Sequence, residues 1–236
     1  MFLNLLPCWP YLLGAAVVAY LLGSINTAIL VTRAMGKQDI REVGSGNAGM
    51  TNVLRTFGSR PALWTTLGDV GKSMLACFLG GLLLAWGCRT ADPTLPVEQA
   101  RMAGQYVAGL FCTLGHTFPV FFGFRGGKGV LVGLGMLFVT DWRVALVVVA
   151  AFAVLVAIWR MVSLGSLCGA AAAIPATYLF RRFADGAPAD VVMFSTVLVS
   201  VVVVILWVMH HGNIKRLLQG NERKLSFGKK KENAHG

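Results

Sequence analysis

Apolar residues run together along this chain and polar residues collect in short islands between the runs. The runs fall at Tyr11–Thr32, Pro61–Gly87, Met102–Gly115, Gly129–Thr140, Val144–Arg160, Leu164–Phe180 and Val191–Met209. A helix of roughly 20 apolar residues crosses the hydrocarbon of a bilayer, so the pattern predicts an all-α, polytopic membrane protein with seven transmembrane helices. The third and fourth runs are short. The segment between them is therefore expected to dip toward the bilayer, shielded by neighbouring helices, as non-helical backbone in a membrane must be. No basic segment precedes the run from Tyr11 to Leu30, which reads as a retained span and not as a cleaved signal peptide.

Composition sharpens this picture. Of the 236 residues, 56% are hydrophobic and only 13% are charged, which excludes a soluble helical domain with charged faces. The net charge of +11 is not a nucleic-acid signature, because the basic residues border apolar spans and no nucleic-acid motif accompanies them. All but six of the 21 Lys and Arg fall on one side of the predicted topology; Arg89, Arg101, Arg143, Arg181 and Arg182 fall on the other, and Lys72 lies within a span. The basic side is cytoplasmic by the positive-inside rule, which puts the N-terminus outside and the C-terminus in the cytoplasm. Residues 1–222 form one seven-span domain, and residues 223–236 a basic tail expected to be disordered or held at a lipid surface. The outer loops read as connectors. Cys8, Cys77, Cys88, Cys112 and Cys168 show no Cys-x-x-Cys spacing and read as small buried hydrophobes, neither disulfides nor zinc ligands.

Three polar islands share the cytoplasmic side, at residues 33–60, 115–129 and 210–222. The first interleaves Ser45, Asn47, Thr51 and Asn52 with Gly44, Gly46 and Gly49, which reads as a tight loop for a polyoxygen ligand, with Arg55 adding a fork for phosphate or carboxylate. The second carries Gly126, Gly127, Lys128 and Gly129, whose glycines can turn N–H groups toward an anion beside the ammonium. In the third, His210, Asn213 and Arg216 share one face of a short surface helix. Asp69 and Lys72, spaced i,i+3 within the second span, either pair structurally or line the same polar cavity. Gly71-Lys72-Ser73 imitates the end of a P-loop, but Thr66 stands where that motif needs glycine and no strand precedes it. No Gly-x-Ser-x-Gly elbow is present, and Phe121, Lys215 and Arg216 stand where a His-x-x-x-x-Asp acyltransferase motif would need aspartate. A site rich in phosphate donors and poor in nucleophiles suits a substrate that arrives already activated.

From Leu21 to Glu222 the chain resembles the bacterial membrane glycerol-3-phosphate acyltransferases that use acyl phosphate, the PlsY family. The resemblance rests on Gly23–Asn26, on Asp39–Asn52, on Asp69 with Lys72, on Gly115–Pro119 with Phe124–Gly129, and on His210–Glu222. Ala48, Arg125 and Leu131-Val132 depart mildly from the usual family residues. The resemblance implies an enzyme of the bacterial cytoplasmic (inner) membrane, with its active site facing the cytoplasm. It would transfer a fatty acyl group from acyl phosphate to the 1-hydroxyl of sn-glycerol 3-phosphate, giving lysophosphatidic acid. Ser45, His116, Lys128, His210 and Asn213 are expected at the reacting groups. Gly46, Asn47, Thr51, Asn52, Arg55, Asp69, Lys72, Gly126, Gly127, Gly129 and Glu222 are expected around the substrates. No metal and no cofactor is expected; the partners are the two substrates and membrane lipids, with no nucleic acid, and the protein is expected to be a monomer. The general base is left open among His116, His210 and the substrate's own phosphate. Ser45 is expected to bind and orient substrate without becoming acylated, since no histidine–carboxylate pair lies near it in sequence. An anion transporter and an acyl-CoA or acyl-carrier-protein acyltransferase are the competing classes.

Overall fold

A computed structural model describes residues 6–35, 38–91 and 96–225, and every regular element among them is helical. The first apolar run forms two helices, α1 (Trp9–Ser24) and α2 (Thr27–Ala34), broken at Ile25–Asn26. The break is stabilised from both sides: Asn26 Oδ1 caps α2 by accepting from the Ile29 N–H at 3.1 Å, and the freed Ile25 carbonyl accepts from Lys72 Nζ at 2.8 Å. Lipid could satisfy neither group, so the polar side chains are what make an interruption at this depth affordable.

A short amphipathic helix, α3 (Met50–Phe57), leads into α4 (Ser59–Ala91). At 33 residues α4 is about 50 Å long, well beyond the hydrocarbon thickness. Then follow α5 (Val97–Thr117), α6 (Val130–Thr140), α7 (Trp142–Trp159), α8 (Val162–Leu179), a wide turn over Phe180–Ala184, α9 (Ala189–Met209) and the surface helix α10 (His211–Leu218).

Among the described residues five helical stretches are long and apolar enough to cross a membrane, where the sequence predicts seven: Trp9–Ala34, Ser59–Ala91, Trp142–Trp159, Val162–Ala184 and Ala189–Met209. The other two predicted spans correspond to α5 and α6. The 11 residues of α6 rise only about 16 Å, and α5 begins with a polar turn containing Glu98 and Arg101.

The interior is built on close helix approach. A Cβ on Gly80 would lie 2.8 Å from the Gly104 carbonyl oxygen, and one on Gly104 would lie 2.3 Å from that of Gly80, so α4 and α5 touch backbone to backbone. Between lipid-bathed helices there is no hydrophobic drive to associate, and such close packing supplies the attraction. The large side chains of Trp64, Phe78 and Trp86 on α4 and of Val154 and Ile158 on α7 point outward, the expected arrangement for a surface solvated by acyl chains.

The end of the bundle away from the polar islands is more ordered than a set of connectors. Cys8 and Cys88 are joined in a disulfide with Cα atoms 5.6 Å apart, which corrects the reading of all five cysteines as unpaired; the 80-residue separation hid the pairing. Cys77 and Cys112 are buried thiols, as expected, whereas Cys168 is exposed, which corrects its reading as a buried hydrophobe. Arg143 bridges Asp141 and Asp185 at 2.8 Å each, while Arg181 reaches Asp185 and the Thr140 carbonyl. These contacts tie the α6–α7 and α8–α9 turns together. Lys37 and the basic tail from residue 226 onward lie outside the described residues.

Candidate active site

Successive helices bring all three polar islands to one end of the bundle. The first island is a loop only as far as Gly49; Met50–Phe57 is helical, so Thr51, Asn52 and Arg55 project from α3 and not from the tight loop predicted. Asn52 organises this region. Its Oδ1 accepts from the Ser45 N–H at 2.9 Å, and its Nδ2 donates to the carbonyls of Ile40, Val43 and Asn47 at 3.0, 2.9 and 3.2 Å. Gly44, at φ +66°, fits tightly over it: a Cβ there would meet Asn52 Oδ1 at 2.2 Å. The amide thus shapes the loop, and Asn52 also lines the cavity described below. Asp39 anchors the loop's entry through Arg33 and Arg41, and the hydrogen bonds from Arg41 hold its carboxyl down at about 2, well below the usual carboxylate range, although burial opposes the shift. Arg41 also donates to the Phe122 carbonyl at 2.7 Å, fastening the first island to the second.

The second island leaves α5 at Thr117, turns through Val120–Phe122 and returns as Gly126-Gly127-Lys128-Gly129 at the start of α6. The N–H groups of Gly126 and Gly127 donate to the carbonyls of Thr117 and His116, at 3.2 and 3.1 Å. They complete the end of α5, so these two N–H groups are already paired within the protein. What these glycines provide is proximity. A Cβ on Gly127 would lie 2.2 Å from His116 Nε2 and 2.7 Å from the Ala48 carbonyl oxygen, so the first and second islands meet at this point with no room for a side chain.

Asp69 and Lys72 form a buried ion pair at 2.8 Å, and Lys72 Nζ also bonds His116 Nδ1 at 3.0 Å and the Ile25 carbonyl at 2.8 Å. Thr27 donates to the same Asp69 oxygen at 3.0 Å. An ammonium has three protons, and here all three are taken. Both alternatives read from the sequence are met: Asp69 and Lys72 pair, and Asp69 also lines the cavity described below.

The third island holds a tight network. Lys128 Nζ donates to Asn213 Oδ1, and Asn213 Nδ2 donates to Ser163 Oγ at 2.6 Å and to Glu222 Oε1 at 2.9 Å. Ser163 donates to the same Glu222 oxygen at 2.7 Å, and Arg216 Nε donates to Oε2 at 2.9 Å. Burial raises the Glu222 carboxyl, but the hydrogen bonds from Ser163, Asn213 and Arg216 outweigh it and hold the group below its ordinary range. Glu222 therefore anchors the network, and it also lines the cavity described below. Lys128 is pushed down to about 8, first by burial and then by the Arg216 and Arg55 charges, with Glu222 opposing. His210 caps α9 and is pushed down to about 4, chiefly by burial. Its Nδ1–H donates to the Leu206 carbonyl at 2.7 Å, so Nε2 carries the lone pair.

A cavity of about 630 Å³ joins these groups. Its polar end is lined by Ser45, Asn47, Thr51, Arg55, Lys128 and Asn213, with His116 and His210 in its wall, and Arg216 and Arg223 add cations that the expected set left out. Its other end is apolar, running past Leu134 and Leu137 of α6, Val148 and Phe152 of α7, Gly165, Gly169 and Ala173 of α8, and Val202 of α9. The small residues of α8 leave this furrow open. Ser163, Arg223 and the furrow were not picked out in the sequence. Ser163 offers one usable signal, a hydroxyl at the start of a span; the furrow offers none, because its lining looks like any apolar helix.

The fold and cavity together define a class: an integral membrane helical protein with a cation-lined polar chamber opening into an apolar furrow, suited to ligands that combine phosphate and hydrocarbon. The comparisons agree. The family described as glycerol-3-phosphate acyltransferase matches residues 13–220. Curated relatives named glycerol-3-phosphate acyltransferase include one from Gloeobacter violaceus, 40% identical over 220 residues and covering 92% of this chain and 96% of its own, and one from Clostridioides difficile, 39% identical over 217 residues with the same coverage. Among solved structures, the integral membrane glycerol 3-phosphate acyltransferase PlsY (YgiH) in its glycerol 3-phosphate form superposes with a TM-score of 0.72 at 31% identity, covering 91% of this chain and 96% of the other. Its lysophosphatidic acid form gives 0.71 at 29%. The chain belongs to the glycerol-3-phosphate acyltransferase family, in its PlsY branch.

Proposed function

We propose that this protein catalyses direct acyl transfer from a fatty acyl phosphate to the 1-hydroxyl of sn-glycerol 3-phosphate. The observation that carries the reading is the single continuous cavity, cationic at one end and apolar at the other, which matches a substrate pair with two phosphates and one fatty tail. In this reaction the hydroxyl oxygen attacks the acyl carbonyl, the C–O bond to phosphate breaks, and the hydroxyl proton ends on the released hydrogen phosphate. Charge and atoms balance without an acyl-enzyme or a metal. Acyl phosphate is a mixed anhydride with a good leaving group, so positioning and charge stabilisation can carry most of the rate enhancement. Lys128 and Arg55 are the phosphate-facing cations, Ser45 and Asn47 orient the glycerol moiety, and the furrow between α7, α8 and α9 holds the tail.

The orientation belongs to the same proposal. The basic asymmetry supports N-terminus out, C-terminus in and a chamber facing the cytoplasm of a bacterial inner membrane, with α5 and α6 completing seven crossings in a monomer. The Cys8–Cys88 disulfide at the opposite end agrees with an oxidising compartment there.

The test is purified full-length protein with radiolabelled glycerol 3-phosphate and, in separate reactions, acyl phosphate, acyl-CoA or acyl carrier protein as donor. Lysophosphatidic acid is expected with acyl phosphate alone. Product with either thioester at a comparable rate would refute the donor assignment.

A further inference from the structure

Three histidines line the cavity, and the ring nitrogens of the two buried ones, His116 and His210, are held differently. At His210 a carbonyl, which can only accept, faces Nδ1. At His116 the Lys72 ammonium, which can only donate, faces Nδ1 at 3.0 Å. Lys72 is held in place by Asp69 at 2.8 Å and by the Ile25 carbonyl. His116 Nδ1 must therefore accept, and its one proton sits on Nε2. That Nε2 faces the seam of the two loops: it is one of the atoms nearest to where a Gly127 Cβ would stand, and the Ala48 carbonyl oxygen is another.

We infer that the Asp69–Lys72 pair is a tautomer lock: it makes His116 a permanent Nε2–H donor at the seam between the Ala48 and Gly127 loops and removes it from the candidates for general base. Asp69 and Lys72 are then positioning residues, acting through His116 on the two loops that carry Ser45, Asn47 and Lys128. Three observations independent of the reaction support this. The pair sits within a span, where unneeded charge is expensive. Every Lys72 proton has a protein acceptor, so no substrate contact is left for it. The helix break at Ile25–Asn26 supplies one of those acceptors, so the interruption of the first span is part of the same device. Were Nδ1 protonated, it would point an N–H at an ammonium.

The inference rests on the acyl-transfer reading only for its kinetic arm. The structural arm is ¹⁵N-histidine NMR of the full-length protein in micelles, with the His116 signal assigned by its loss in His116→Gln. The expected result is an Nε2–H neutral ring throughout the active pH range; an Nδ1–H ring, or a titration coinciding with the kcat/KM profile, would overturn the proposal. In the kinetic arm, glutamine retains an amide N–H donor and no basic nitrogen. His116→Gln should keep activity within about tenfold of the parent while His116→Ala falls further, because a general base is worth 10²–10⁴-fold and would be lost equally in both. Equal losses of that size would overturn the donor role. Lys72→Met should let Asp69 pair with His116, the two lying 3.6 Å apart, and the NMR signal should change to a doubly protonated ring. If that variant does not fold, the parent spectrum and the Gln/Ala contrast still decide. Failure of the acyl phosphate assay would leave the tautomer measurement untouched, so the two readings can fail separately.

Discussion

Lys128 makes an opposed pair of predictions, one for rate and one for stability. Its ammonium is half-buried, bonds Asn213 and lines the cavity near Arg216 and Arg55, and burial first, then those two charges, hold its pKa down at about 8. An ordinary lysine titrates near 10.4, so over roughly two pH units the folded protein carries a neutral amine where the unfolded chain carries a cation. Between about pH 8 and 10.4 the unfolded state binds more protons, and this residue's contribution to stability therefore rises with pH. Activity should move the other way, because the cation that faces phosphate is lost as pH passes 8. In steady-state assays kcat/KM should fall above pH 8 while the thermal midpoint does not fall in step. Lys128→Arg, permanently charged, should lose that alkaline limb even if its overall rate is lower. Lys128→Ala should cost about 2.7–4 kcal/mol of transition-state stabilisation, or 10²–10³-fold, the usual worth of one donor to developing charge. An alanine variant within threefold of the parent, or an alkaline limb unchanged in the arginine variant, would refute the assignment of this side chain to phosphate.

Ser45→Ala should lower kcat/KM severely without abolishing turnover, and intact-protein mass spectrometry after incubation with acyl phosphate alone should find no acyl adduct; a stable adduct on Ser45 would establish a two-step mechanism. Gly127→Ala should damage activity, since its Cβ would stand 2.2 Å from His116 Nε2 and 2.7 Å from a backbone oxygen that cannot give way; near-normal rates would mean that the seam is slack. Glu222→Ala should destabilise by about 1–3 kcal/mol, because Asn213 and Ser163 lose a buried acceptor, and should slow turnover by releasing Asn213; an unchanged melting temperature would exclude the anchoring role. For topology, single cysteines at positions 2 and 230 of a cysteine-free variant should label from outside and inside, respectively; labelling of both from one side would mean an even number of crossings.

Much of this protein was legible in its sequence because a membrane imposes a severe rule. Backbone in hydrocarbon must satisfy itself, so apolar runs near 20 residues become helices almost regardless of context, and the polar residues left over mark the places where chemistry or interruption is tolerated. That logic located the three islands, and their residue types pointed to phosphate. It could not distinguish a residue that touches substrate from one that shapes the loop holding it. Asn52, Glu222 and Lys72 have the same chemistry as true phosphate or hydroxyl ligands, and only the tertiary structure shows how much of their hydrogen-bonding capacity the protein itself uses. The N–H groups of Gly126 and Gly127 were assigned to an anion for the same reason, since sequence names a donor but not its acceptor. The Cys8–Cys88 bond, the apolar furrow along α8 and the turn of His116 toward Lys72 depend on which helices lie side by side. Hydrophobicity says that a helix is buried in lipid or protein; which neighbour it meets follows from the fit of small residues such as Gly80 against Gly104, a property of two surfaces at once and so visible only in the tertiary structure.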